Sequence, residues 1–214
     1  LRVRKKDDVV VKKLMELGQE TKESKNYRDI YKGNVLIDNT RGIVQINEVI
    51  ELIIDAFRQV CDAGPLAREP CISMKVRLHD CKLHEDAIHR GPAQVLPAIR
   101  SGIKEAMALA GSVLYEPIQT IQIEAPVDYM GNISKLIQNK RGQLLDMTQE
   151  GEHIVVKAKL PVGEMFGLSN DLRSCTEGRG AYFVVDQVFE KLPHDLQAKI
   201  VKQIRERKGL SENE

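Results

Sequence analysis

Three of the chain's five histidines lie within one short stretch, residues 78–94, with the sequence LHDCKLHEDAIHRGPAQ. His79, His84 and His89 recur there at equal spacing, and Cys81 lies between the first two. Imidazole and thiol groups bind transition metals and act as nucleophiles or proton carriers near neutral pH. This stretch is therefore the first candidate for chemistry.

Several sites are compatible with these residues. His84 and His89 resemble the HExxH motif of zinc proteases, but they are one residue too far apart. On a helix, that spacing turns the second ring by about 140° from the first, so the pair could not hold one metal ion. An irregular loop could still gather His79, Cys81, His84 and His89 around zinc, although no CxxC pair accompanies them. A Cys81–histidine nucleophile and a solvated loop without chemistry remain alternatives.

The stretch joins a predicted strand to a predicted helix. Apolar residues alternate over residues 72–83, which predicts a strand with one apolar face. That face consists of Ile72, Met74, Val76 and Leu78. The alternation stops after Leu83, so an exposed loop is predicted until Pro92 opens a helix over residues 92–110. Pro97 predicts a kink or a late start in that helix. Its predicted buried face consists of Val95, Ile99, Ile103, Ala106 and Ala110.

The elements before this stretch follow from caps and periodicity. Asp7 or Asp8 is predicted to cap a short helix that ends at Gly18, and a second helix is predicted over residues 21–31. A short strand over residues 34–38 precedes the clearest helical pattern in the chain, residues 46–61. Its apolar stripe consists of Ile46, Val49, Ile50, Ile53, Ile54, Phe57, Val60 and Cys61. Loops carried on such a rigid frame are frequent sites of function.

After a boundary between Gly111 and Pro117, the pattern changes to a compact βαββαβ. Strands are predicted over residues 118–123, 143–149, 153–160 and 182–189, and helices over residues 128–141 and 165–175. In the first of these helices, Gly142 is the predicted C-cap, and the inward residues are Met130, Ile133, Leu136 and Ile137. Two split βαβ units of this kind predict a ferredoxin-like sandwich. A final amphipathic helix over residues 196–207 has a basic end.

Composition narrows the class of protein. The chain has 214 residues, a formal net charge of +1, 42% apolar and 29% charged residues, which is typical of a globular protein of one or two domains. A nearly neutral chain has no overall basic field, so any RNA contact must come from local patches. Four cysteines without a paired motif predict reduced thiols in the cytoplasm. No signal peptide, membrane span or GxxxxGK[ST] phosphate loop is recognisable.

Longer motifs indicate the family that this chain resembles. The segments GNVLIDNTRGIVQINEVIELI, LHEDAIHRGPAQ and EPIQTIQIEAP are similar to archaeal elongation factor 2, in its C-terminal part. The similarity continues through YMGNISKLIQNKRGQLL, LPVGEMFGLSNDLRS and the closing IRERKGL, so it covers nearly the whole chain in order. The resemblance implies an α+β chain with a ribosomal-protein-S5-domain-2-like domain followed by a ferredoxin-like sandwich. Residues 1–114 would be domain IV, truncated at its N-terminus, and residues 115–214 domain V with a C-terminal helix.

The resemblance also implies a site. In this family the histidine of the AIHRG segment, here His89, is converted to diphthamide. Its loop forms the tip of domain IV, which contacts RNA in the decoding centre of the ribosome. The residues that match the tip motif are His84, Asp86, Ile88, His89, Arg90 and Gly91. Bacterial elongation factor G shares the domain V motifs but lacks this histidine loop.

The implied function is part of the GTP-dependent translocase that moves tRNA and mRNA on the cytoplasmic ribosome. The GTPase domain, with its GTP and magnesium, would lie upstream of Leu1. The resemblance implies no catalytic residue, metal, cofactor, membrane or small-molecule substrate for these residues. A scaffold part of a paralogous ribosome-assembly or spliceosomal GTPase is the first alternative. A zinc-dependent enzyme that uses His84 and His89 is the second.

Overall fold

The computed structural model describes residues 7–41 and 46–211. They form two compact units, one made of the residues up to Ser112 together with those from Lys199 on, the other of Val113–Ala198. None of the helices within those ranges is both long enough and apolar enough to cross a membrane. The predicted α+β class is confirmed, and each unit is built on its own sheet.

The sheet of the first unit has the strand order β1-β2-β3, with β1 at Tyr27–Tyr31, β2 at Asn34–Asp38 and β3 at Lys75–Leu78. β1 and β2 are antiparallel, whereas β2 and β3 are parallel. Parallel strands need a crossover, and helix α3, Ile46–Asp62, lies between them in the chain. The sheet therefore places the carboxyl ends of β2 and β3 at the same edge.

Helix α3 begins and ends almost where its periodicity predicts, and its apolar stripe forms the core of the first unit. Helix α4, Pro92–Leu109, packs against α3. The buried residues of this core are Leu36, Ile46, Val49, Ile53, Ile54, Phe57, Val60, Cys61, Val95 and Ile103. Burying each large apolar side chain stabilises the folded state by about 1.5–3 kcal/mol. The core thus fixes both elements that flank the histidine stretch.

The predicted helix over residues 21–31 is wrong beyond its first turn. Helix α1, Asp8–Glu16, is capped by the Asp7 carboxylate as predicted, but α2 covers only Thr21–Ser24. The chain then enters β1, which turns back into β2 through Lys32 and Gly33 at φ +48° and +77°. Two positive φ values in a two-residue turn are those of a type I′ hairpin. Pairing with β2 therefore overrides the local helical pattern.

The strand predicted over residues 72–83 is also too long. β3 is confined to Lys75–Leu78, since Ser73 lies at φ +54° and interrupts the extended backbone before it. Met74, Val76 and Leu78 pack on the core as predicted, but Ile72 is exposed. In α4 the helix starts at Pro92 without delay, and Ala106 and Ala110 are exposed instead of buried.

The second unit has the strand order β5-β6-β4-β7, and its neighbouring strands are antiparallel. Its elements are β4 at Tyr115–Pro126, α5 at Met130–Asn139, β5 at Gln143–Glu150, β6 at His153–Pro161, α6 at Leu168–Cys175 and β7 at Ala181–Lys191. This is the ferredoxin-like sandwich that the pattern predicts. Ile133 and Ile137 lie in its core and Leu136 packs against it, but Met130 is exposed.

The C-terminus of α5 departs from the prediction that Gly142 supplies the cap. Arg141, not Gly142, has the left-handed conformation, at φ +54°. Its amide donates to the Gln138 carbonyl and the Gly142 amide to the Ile137 carbonyl, which is the Schellman pattern of hydrogen bonds. The Arg141 guanidinium pairs with Glu116 at 2.9 Å and Glu164 at 3.0 Å. These ion pairs hold an arginine where glycine is usual.

Gly142 is instead required by close packing, and we expect Gly142→Ala to destabilise the second unit by about 1–3 kcal/mol. A Cβ at this position would lie 2.7 Å from Ile137 Cγ2 and 2.8 Å from the Ile137 carbonyl oxygen. Urea denaturation measures the loss. Gly131→Ala is the matched control, since a Cβ there meets nothing within 4 Å and alanine favours the helix. Equal stability of the two variants would contradict the packing argument.

Helix α7, His194–Arg207, begins near the predicted residue, and the two units divide it after Ala198. Its basic end binds carbonyl groups of the first unit: Arg205 Nη1 donates to Leu66 O at 3.0 Å, and Lys208 Nζ to Ala67 O at 3.0 Å. The basic residues that the sequence assigns to a helix terminus thus also donate hydrogen bonds to backbone carbonyl groups of another loop.

Candidate functional site

The histidine loop, residues 79–91, leaves the carboxyl end of β3 and returns to the first turn of α4. It lies beside the segment that follows β2, since Asn39 N donates to Leu78 O at 2.8 Å. Gly91 is the N-cap of α4 and Pro92 its first residue, a position where the missing N–H of proline costs nothing. Both ends of the loop are therefore fixed by the core.

Asp86 organises the middle of the loop. Its carboxylate accepts from Ile88 N at 3.0 Å and caps a single turn of 3-10 helix, Ala87–His89. Its own amide donates to Nδ1 of His84 at 3.1 Å. Nδ1 of His84 is the acceptor of this bond, so the contact fixes the orientation of the ring relative to Asp86. The two residues together fix the turn that carries His89.

Arg90 braces the loop from inside. Its Nε donates to the His84 carbonyl at 2.7 Å and its Nη2 to the Glu85 carbonyl at 2.6 Å. Its Nη1 pairs with Glu48 on the first turn of α3 at 2.7 Å, and its side chain is only 8% exposed. A planar guanidinium can make these three contacts at once, because its donors form a rigid fork. Arg90 thus ties the loop to α3.

His89 and Ile88 lie exposed on the turn that this scaffold carries. Ile88 is 75% exposed, and His89 is exposed as well. The ring of His89 contacts that of His84 edge to face, with centroids 4.6 Å apart and an interplanar angle of 69°. Within the described residues it has no hydrogen-bond partner. The braced turn therefore presents the imidazole of His89 next to the apolar side chain of Ile88.

Comparison with known proteins decides the family. The model described as "Elongation factor G, domain IV" matches residues 2–111, and that described as "Elongation factor G C-terminus" matches residues 113–212. The chain belongs to the elongation factor G family. Its histidine loop therefore lies in a domain IV, and its ferredoxin-like unit is the C-terminal domain.

Within this family, the chain is similar to archaeal proteins named elongation factor 2. It is 50% identical to that of Nanoarchaeum equitans over 98% of its length, and 51% identical to that of Methanocaldococcus jannaschii over 97%. The protein of Thermococcus onnurineus is 49% identical over 95%. The chain spans 28% of the length of each of these relatives.

Within this domain IV, the residues predicted from the tip motif have three different positions. His84, Asp86 and Arg90 form the scaffold of the loop, Ile88 and His89 are exposed, and Gly91 caps α4. Sequence reasoning missed Glu48, the partner of Arg90. Glu48 is far from the loop in sequence, and its acidic side chain on the first turn of α3 looks like ordinary solvated surface. No local signal pairs it with Arg90.

The Cys81 and Cys61 thiols of this chain are poorly suited to nucleophilic chemistry. Burial raises the pKa of Cys81, and the nearby Asp80 carboxylate adds to the effect. Burial raises the pKa of Cys61 to about 12. A raised pKa leaves little thiolate near neutral pH, which argues against the Cys81–histidine pair.

Among the described residues, no group of three or more His, Cys, Asp or Glu side chains is placed so that it could hold a metal ion.

Proposed function

We propose that this chain is the ribosome-facing C-terminal part of a GTP-dependent translocase, and that its histidine loop enters the decoding centre to move tRNA and mRNA. The observation that carries the proposal is an exposed His89 on a loop braced by Arg90, in a domain IV of an elongation factor. The parent protein would supply GTP hydrolysis with magnesium upstream of this chain. The site of action would be the cytoplasmic ribosome.

The proposed mechanism depends on the position and shape of the loop more than on its electrostatic affinity for RNA. Each phosphate contacted on single-stranded RNA adds about −0.7 to the slope of log affinity against log salt, so a loop with one or two cations confers little affinity. Arg90 is turned inward and paired with Glu48, and its guanidinium is therefore not among the exposed groups of the short turn, which include His89 and Ile88. The loop then acts by shape and position, and energy from the GTPase domain drives it between the RNA strands.

We further propose that His89 carries the diphthamide modification of its family. An exposed imidazole without a hydrogen-bond partner within the described residues can be reached by a modifying enzyme. The added group carries a positive charge on a long stem, which suits it to reach between phosphates. Mass spectrometry of the chain from an archaeal host is expected to find the added mass on His89. An unmodified His89 from that host would favour the scaffold of a paralogous GTPase.

Replacement of His89 is expected to impair translocation without unfolding the chain. The test uses a chimera in which this chain replaces the matching part of an archaeal elongation factor 2, with His89→Ala. Loss of one charge-assisted contact of about 1.5–3 kcal/mol predicts a decrease of roughly tenfold or more in translocation rate, and more frameshifting. His153→Ala is the control, since His153 is an exposed histidine of the C-terminal domain. Unchanged rate and reading-frame accuracy in the His89 variant would refute the proposed function.

A further inference from the structure

A polar cleft opens at the same edge of the sheet as the histidine loop. It has a volume of about 750 Å³ and lies where the parallel strands β2 and β3 end. Its lining comes from α2 and the residues that flank it, from the end of β2 and the segment after it, and from the two residues after β3. These residues include Lys22, Asn26, Asn39, Arg41 and His79. The carboxyl edge of parallel strands is a frequent place for ligands in α/β folds. The volume falls within the range of small-molecule sites, roughly 300–1,000 Å³.

Two of the four acidic residues of the cleft, Glu23 and Asp38, have cationic partners. Glu23 pairs with Lys75 at 2.8 Å and with Arg77 at 2.6 Å. Hydrogen bonds from these two side chains hold the pKa of Glu23 below its usual value. A carboxylate with two cationic partners repels an incoming anion only weakly.

Asp38 and Asp80 are engaged as well. Burial alone would raise the pKa of Asp38, but hydrogen bonds from Thr40 and Arg28 outweigh it and lower the pKa. Asp38 Oδ1 accepts from Thr40 Oγ1 at 2.6 Å, and the Asp80 carboxylate accepts from Cys81 N at 2.8 Å. Asp38 is thus held by β1 and by its own loop, and Asp80 by the residue that follows it.

Two of the remaining polar groups of the cleft are cationic donors, and the others are histidine, asparagine, threonine and glutamate side chains. Lys22 and Arg41 are exposed and have no ion-pair partner within the described residues, and His79 is exposed beside them. Glu20 keeps a carboxylate without an ion pair at the cleft, and the Asn26 amide donates to Asn39 at 3.3 Å. Each asparagine retains further donor or acceptor capacity. The cleft therefore offers cations for a phosphate, and acceptors that suit hydroxyl groups.

We propose that this cleft binds a ribonucleoside phosphate, with the phosphate held by Lys22, Arg41 and His79 and the ribose hydroxyls by Glu20 and the asparagine amides. The choice of an RNA strand as its source rests on the proposed function, because the cleft adjoins the loop that would enter the decoding centre. The cleft would then hold the strand backbone beside the loop. Affinity would come from the cleft and position from His89.

Nuclear magnetic resonance titration of the 214-residue chain tests the site without a ribosome. Hexauridylate is expected to shift the backbone amides of Asn39, Thr40, Arg41 and His79. In the variant Lys22→Gln/Arg41→Gln, two lost phosphate contacts remove about 1.4 from the salt slope. Between about 50 and about 200 mM salt, binding by the unmodified chain should therefore weaken about sevenfold more than binding by the variant.

The control variant is Lys12→Gln/Lys13→Gln, which removes the same charge from exposed positions of α1 outside the cleft. An equal loss in both double variants, or an unchanged salt slope in the cleft variant, would overturn the proposal. So would an acidic peptide that binds the same residues as tightly as hexauridylate. Uridine monophosphate is the second probe: if it shifts these amides with the affinity of the hexamer, the bound species is a free nucleotide.

The outcome is separable from that of the proposed function. His89 does not line the cleft, so His89→Ala should leave the hexauridylate response unchanged. A cleft that binds RNA while His89→Ala translocates normally would refute only the role of the loop. A cleft that fails to bind, with His89 still needed for translocation, would refute only the cleft.

Discussion

An Asp29→Ala variant is expected to lose about 3–5 kcal/mol of stability, the usual cost of removing one partner of a buried ion pair. Asp29 lies on β1 with no exposed surface and receives both Nε and Nη2 of Arg58 at 2.7 Å each. Hydrogen bonding to Asp29 raises the pKa of Arg58, and an arginine stays charged even when its partner is lost. Arg58 is only 27% exposed, and water replaces the carboxylate poorly.

Urea denaturation followed at the amides of α3 measures this loss in the first unit, independently of the second. Asp62→Ala is the matched control, since its pair with Lys32 is 45–58% exposed and such pairs contribute at most about 1 kcal/mol. A double variant, Asp29→Leu/Arg58→Met, should recover most of the loss because no charge remains buried. If Asp29→Ala cost no more than Asp62→Ala, the pair would not be the stabilising contact that its geometry indicates.

The same ion pair explains why β1 was mispredicted. Arg28 and Asp29 are two adjacent charged residues, and both are buried in β1, where they pair with Asp38 and Arg58. From the sequence, charges flanked by Tyr27 and Ile30 look like the polar face of a helix. Only the three-dimensional partners make a strand with buried charges possible, and those partners are distant in sequence. By contrast, α3 was predicted almost to the residue because its stripe repeats over four turns.

The candidate site shows a similar division between local and distant information. The alternation that stops after Leu83 and the proline at residue 92 predict an exposed loop, and His89 is exposed in it. The inward position of Arg90 could not be predicted, since an arginine in an exposed loop usually faces solvent. Its burial depends on Glu48 and on two backbone carbonyls. Local pattern thus predicts where the loop lies, and tertiary contacts decide which side chains it offers.

Arg90→Ala is expected to release the histidine loop while leaving the cores intact. Hydrogen bonds from a charged donor are worth about 1.5–3 kcal/mol, and Arg90 makes two of them to the carbonyls of His84 and Glu85. The loss of both should raise the opening equilibrium of the loop by roughly a hundredfold or more. Hydrogen exchange at the amides of Asp86 and Ile88 measures this, since both amides are hydrogen-bonded within the loop.

Two variants separate the bracing role from charge alone. Arg90→Lys keeps the charge but lacks the fork that reaches both carbonyls, so its loop should open nearly as often as that of Arg90→Ala. Glu48→Gln keeps both carbonyl contacts and disturbs a pair whose carboxylate is 55% exposed, so its effect should stay below about 1 kcal/mol. Unchanged exchange in Arg90→Ala, or an equal effect of Glu48→Gln, would contradict the brace. Because the ring of His84 contacts that of His89, an opened loop should also broaden the imidazole resonances of His89. The orientation of the exposed histidine would then depend on an arginine that itself never needs to touch RNA.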